Sequence, residues 1–150
     1  MIKRITAALL LLCGGTAMAV EGLVSVESHF DPQQTLERLE GEVKARGLTV
    51  FARIDHAAGA TAVGLTLRPT TVVIFGNAKG GTPLMQASQV VGLELPLKVL
   101  VWQDAADKTW LSYTDPANLA KRYSLPPETA AVVGNLAGAL KAVTSKAAGG

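Results

Sequence analysis

Val72–Asp104 reads VVIFGNAKGGTPLMQASQVVGLELPLKVLVWQD. An apolar run stops at Gly76, crosses the polar stretch GNAKGGTP, enters a short amphipathic segment and ends in a second apolar run. TTVVIFG is apolar on both faces in its middle and predicts a central strand. PLMQASQVVG predicts a helix of about two turns, starting at Pro83 with Thr82 as N-cap and closing at Gly92. LKVLVWQ and TWLSYT predict two strands, and the intervening DAADK suits a hairpin.

Upstream of this frame, LVSVES from Leu23 alternates apolar and polar residues and predicts a half-buried strand. In HFDPQQTLERLEGEVKARG, Asp31 is an N-cap, Pro32 takes the first helical position and Gln34 has capping-box spacing. Leu36, Leu39 and Val43 then share one helical face, Glu37, Arg38, Glu42 and Lys44 the other, and Gly47 ends the helix. LTVFARID returns as a strand, closing a β-α-β unit. HAAGATAVG reads as a loop with one helical turn, and LTLRP as a short strand broken by Pro69.

Downstream, DPANLAKRY repeats the Asp-Pro helix start, and Pro126 and Pro127 break the chain again. TAAVVGNLAGALKAV places Val132, Leu136, Ala139 and Val143 on one stripe, with Gly134 and Gly138 allowing close approach to a neighbour. SKAAGG, residues 145–150, reads as a flexible tail.

The N-terminus has the layout of an export signal. MIKRITAALLLLCGGTAMA carries Lys3 and Arg4, an apolar stretch and the small-residue pattern Ala17-Met18-Ala19. It falls short of the ~20 apolar residues a membrane-spanning helix needs. Cleavage after Ala19 is expected, because bulky Leu12 before Cys13 does not fit a lipoprotein site. The expected division is a signal peptide over 1–19, a domain over 20–144 and the tail, in a periplasmic or secreted protein with no membrane association after cleavage.

Losing Lys3 and Arg4 from the 14 basic residues leaves as many as the 12 acidic ones, so the mature chain is formally neutral. With no basic run, it lacks the electrostatic footprint of a nucleic-acid binder. The single cysteine, Cys13, leaves with the signal, so the core must stabilise the fold without a disulfide. Roughly 130 residues form one domain that buries about two-thirds of its unfolded surface.

The run from Thr49 to Leu125 resembles the DUF302 family of small domains of unknown function. ARIDHAAGA, LRPTTVVIFGNAKGGTPLM, LPLKVLVWQD and WLSYTDPANLAKRY carry the likeness, and it extends back through the first helix. The resemblance implies a single α+β domain, helices packed on a mainly antiparallel sheet, and a tendency to pair as homodimers. It supplies no reaction and leaves any cofactor unknown. Family copies often have glycine where Asp107 stands, a change confined to the hairpin turn.

Few residues carry chemistry. GNAKGGTP is no P-loop, since Gly81 leads directly to Thr82 and Lys79 sits inside the loop. Its glycine spacing also fails the dinucleotide-binding fingerprint. Two readings remain. In one, Asn77 and the glycines make a tight strand-to-helix connection. In the other, the amides of Gly80, Gly81 and Thr82 at a helix start, with Gly76, Asn77, Lys79 and Arg68, hold a small or anionic ligand.

His56 with Met85 is a copper candidate without motif spacing, and too few Cys and His remain for zinc. Asp55 beside His56 offers an acid-base pair, although adjacent strand residues point to opposite faces. If the hairpin turns about Ala106, Trp102 lies opposite Trp110. Val99, Val101, Leu111 and Tyr113 then share a core face, and Lys98, Leu100, Trp102, Trp110, Ser112 and Thr114 the other. That second face suits a dimer interface, an apolar ligand groove or simple cross-strand pairing. The expectation is a ligand-binding or interaction module rather than an enzyme, with acid-base catalysis at His56 and Asp55, or metal or haem handling, as alternatives.

Overall fold

The computed structural model describes residues 20–150, so the expected signal peptide over 1–19 and its expected cleavage after Ala19 lie outside the described residues. Five strands form one sheet: β1 (Leu23–Ser28), β2 (Thr49–Asp55), β3 (Thr70–Gly76), β4 (Leu97–Gln103) and β5 (Thr109–Thr114). Their spatial order is β1-β5-β4-β3-β2, and every neighbouring pair is antiparallel. The helices are α1 (Pro32–Ala45), α2 (His56–Ala62), α3 (Ala78–Ala87), α4 (Ala117–Arg122) and α5 (Ala130–Ala148). This is the expected α+β architecture.

Helix α1 begins as its residues dictate. The Asp31 carboxylate accepts from the Gln34 amide at 2.8 Å, with Pro32 in the first turn. Leu36, Leu39 and Val43 are buried. Its 14 residues span ~21 Å, enough to carry the chain across the sheet. β1 and β2 therefore end up at opposite edges. Beneath α1 and α5 lie Val73, Phe75, Val99, Val101, Leu111 and Tyr113, which complete a single core.

The hairpin follows the expected register, with Trp102 opposite Trp110 and Val101 opposite Leu111. Its turn is held by Asp104, whose carboxylate accepts from the amides of Ala106 and Lys108 and from the Trp110 indole. The indole bond, first, and the amides hold that carboxyl below its ordinary range. Asp107 sits in this turn at φ 60°, the left-handed region where glycine is at ease.

Five details differ from the sequence expectations. HAAGATAVG contains a complete helix, α2. LTLRP forms no strand, and residues 61–69 are exposed. α3 starts five residues before Pro83, because Asn77 rather than Thr82 caps it, accepting from the Gly80 amide at 2.7 Å; a short 3₁₀ turn, Gln89–Leu93, follows. In α5 the core positions are Val133, Leu136, Leu140 and Val143. Val132 and Ala139 sit half-buried at its edge, and Gly134 and Gly138 face open space. Finally, residues 145–148 continue α5, and Ala147 and Ala148 are buried.

That last difference has a clear cause. Arg38 stays on the exposed side of α1, as expected, and reaches from there to the end of α5. Its Nε donates to the Ala147 carbonyl at 3.0 Å and its Nη2 to that of Lys146 at 2.9 Å, capping α5 from outside. The guanidinium also lies 4.1 Å over the Phe30 ring.

Candidate functional site

The glycine-rich stretch opens onto a cavity of about 400 Å³. Gly76, Asn77, Ala78, Gly80, Gly81 and Met85 form one wall, Leu95, Pro96 and Leu97 a second, and Asn135, Leu136 and Ala139 of α5 a third. Leu48 and Phe51 close the strand side. A register shift between Val50 and Ala52 leaves Phe51 half exposed beside Gly76.

Local sequence explains how this wall is built. A glycine inside a helix costs about 1 kcal/mol relative to alanine, yet α3 carries two. A Cβ at Gly81 would meet the Leu95 side chain at 3.2 Å, and one at Gly80 would meet Leu136 at 3.6 Å. The Leu95 contact at Gly81 is the tight one and the Leu136 contact is ordinary, so glycine at 81 lets α3 lie close to Leu95, and both glycines border the cavity.

The Leu95–Pro96 wall is clamped from outside. Glu94 Oε1 accepts from Tyr123 Oη and from Arg122 Nη1, each at 2.8 Å. The Lys98 ammonium donates to the carbonyls of Glu94 and Pro96 at 3.0 and 3.2 Å. The Tyr123 hydroxyl, then Arg122 and Lys98, hold the Glu94 carboxyl below its ordinary range despite partial burial. The same bond raises the Tyr123 hydroxyl. A charged network outside thus fixes an apolar wall inside.

Of the expected ligand residues, Gly76, Asn77, Gly80 and Gly81 come together at this cavity. Lys79 and Thr82 lie on the exposed side of α3. Arg68 does not join them: its Nε donates to the Gln103 carbonyl. Gln103 is the last residue of β4, whereas Leu97, opposite Phe75, borders the cavity at the other end. The Gly80 amide is taken by Asn77 Oδ1, and Gly81 and Thr82 are inside the helix rather than ahead of it. The anion reading therefore loses its donors.

His56 is also remote. Asp55 pairs with Thr71 and Thr49 with Gly76, so the two ends of this strand pair stand about 17 Å apart at the ordinary strand rise. Met85 lies at the cavity end and His56 at the other, so they cannot share a metal within one chain. Among the described residues, no group of three or more His, Cys, Asp or Glu gathers. The Asp55 carboxylate accepts from the Ala58 amide at 2.9 Å, capping α2 instead of orienting the His56 imidazole.

The sheet face away from α1 and α5 carries the expected aromatic and polar mixture. Trp102 and Trp110 stack with centroids 6.3 Å apart. The Trp102 indole donates to Ser112 Oγ, which shares a hydrogen bond with Ser25 Oγ. Leu100, Val72 and Ile74 are only half-buried beside them. Cross-strand pairing accounts for the tryptophans, while the surrounding aliphatic surface remains open to water.

Sequence reasoning missed the cavity walls at Leu48, Phe51, Leu95, Asn135, Leu136 and Ala139. No local signal marks them, because they meet only when α5 returns over the sheet.

Fluoride-specific ion channel FluC 1 of Brucella suis biovar 1 is 44% identical over 128 residues, covering 85% of this chain and 50% of the relative. FluC 1 of Brucella abortus biovar 1 and FluC 2 of Brucella melitensis biotype 1 match at the same identity, with 47% of each covered. The chain thus spans about half the length of the curated relatives it matches. The crystal structure of an uncharacterized conserved DUF302 protein from Bacillus stearothermophilus superposes with a TM-score of 0.77 at 20% identity, covering 85% of this chain and 99% of that one. The family model described as "Domain of unknown function DUF302" matches residues 24–143. The chain belongs to the DUF302 family.

Proposed function

We propose that this protein is an exported, periplasmic or secreted, module that binds a small apolar molecule in the cavity beside α3. One observation carries the reading: a cavity of about 400 Å³ lined mostly by apolar side chains and glycine backbone, with two asparagines and, among the described residues, no charged side chain in its walls. Small-molecule sites run from ~300 to ~1,000 Å³, mostly apolar with a few polar groups. N-phenyl-1-naphthylamine, a neutral dye that brightens in apolar surroundings, tests it. The wild type should take up the dye, and Ala139→Phe, which fills the α5 wall from a half-buried position, should weaken uptake more than ten-fold. Equal brightening in the two proteins would place the dye elsewhere and end the proposal.

In this reading two copies pair through the open sheet face around Leu100, Val72 and Trp102, which supports a homodimer by its apolar character. Trp102→Lys should shift sedimentation from dimer to monomer. A wild type that sediments as a monomer at every concentration would refute the pairing.

The Brucella relatives favour a second reading. No helix among the described residues is long and apolar enough to cross a membrane. The channel activity in the relatives' names then falls to the half of each that this chain does not match. On this reading the protein is a companion of a fluoride channel, working outside the bilayer. Deleting its gene should raise sensitivity to fluoride, and unchanged growth in fluoride would remove the reading.

A further inference from the structure

We infer that the ligand of the α3 cavity is the hydrocarbon chain of a single-chain amphiphile, held with its head group at the mouth. This inference deepens the proposed binding function and rests on it. Among the described residues, the cavity's polar side chains are Asn77 and Asn135, and both are exposed. Asn77 Oδ1 is occupied by the Gly80 amide, which leaves its NH₂ group as a donor at the rim.

The inner surface has no side-chain donor or acceptor to offer. Leu95 and Leu136 pack beside Gly81 and Gly80, Ala139 extends the α5 wall, and Met85 adds a flexible thioether. A ligand carrying several ring nitrogens or carbonyls would have to bury them unpartnered, at a substantial cost per group. An alkyl chain has none to bury. With charged side chains absent from the walls, an ionised group on the ligand must stay in water, so one polar end and one apolar chain is the composition that fits. The volume admits a chain of moderate length and excludes a two-chain lipid lying wholly inside.

Displacement of N-phenyl-1-naphthylamine by straight-chain alkan-1-ols of about six to about fourteen carbons tests this, since each buried methylene should tighten binding about four-fold. The expected result is that stepwise gain, levelling where the chain fills the cavity, with alkanoates at neutral pH showing the same steps because only the head differs. Ala139→Phe should move the plateau to shorter chains or abolish binding. So should Asn135→Trp, a change at an exposed rim position that leaves the core untouched. Affinity independent of chain length, or the same series unchanged in both variants, would overturn the inference. Dye that binds the wild-type cavity but is displaced by no alkanol would also overturn it while leaving the ligand-binding function standing. A wild type that takes up neither would end both.

Discussion

Phe75→Ala should destabilise the protein by about 3–5 kcal/mol, the range for truncating an enclosed aromatic side chain. Phe75 is the largest fully buried side chain among the described residues, at 0% exposure. It stands on the interior strand β3, paired with Val50 of β2 on one side and Leu97 of β4 on the other. Strands hydrogen-bonded on both sides cannot collapse into the vacated space, so most of the cavity persists and the lost contacts are not regained. Against a total stability of roughly 5–15 kcal/mol for a domain of this kind, the change should be plain in urea. The midpoint should fall while the denaturant slope stays constant. A loss below about 1 kcal/mol would mean that the ring is not enclosed as described.

Removing residues 145–150 should cost about 3 kcal/mol or more, where a flexible tail would cost nothing. The deletion exposes the surfaces against which Ala147 (0% exposed) and Ala148 (4%) pack. It also strips both carbonyl acceptors from the Arg38 guanidinium, and the acceptor of the His29 amide, which donates to the Ala148 carbonyl at 3.1 Å. Arg38 and His29 are exposed, so their donors can turn to water and each lost bond costs only about 0.5–1.5 kcal/mol. Thermal unfolding of the shortened chain beside the full one reads the difference. Arg38→Ala should reproduce part of the loss, because it frees the end of α5 without removing a residue. A shortened protein that melts with the full-length one would show that the last turn adds nothing to the fold.

The strands, α1 and the hairpin were legible because their signals are local. LVSVES alternates, Leu36, Leu39 and Val43 repeat at helical spacing, and Asp31-Pro32 caps the turn that follows it. Symmetry about Ala106 was enough to place Trp102 opposite Trp110. The α3 start was misread because Gly-Gly-Thr-Pro has the chemistry of a turn, and Pro83 that of a first helical residue. Asn77 competes for the same cap and wins, because α3 must pack against Leu136 and Leu95, which lie far along the chain. The end of α5 was misread for a similar reason. SKAAGG carries little hydrophobic signal, and only Arg38, more than a hundred residues away, shows why it stays helical.

The DUF302 likeness and most of the strand–helix series were thus determined by the sequence alone, through motif order and periodicity. The cavity beside α3, the separation of His56 and Arg68 from the glycine stretch, and the ordered end of α5 were decided only in three dimensions. The physical reason is that capping and amphipathicity act over a few residues. A cavity, by contrast, is bounded by side chains from β2, α3, the segment before β4 and α5, whose meeting depends on how the whole core closes.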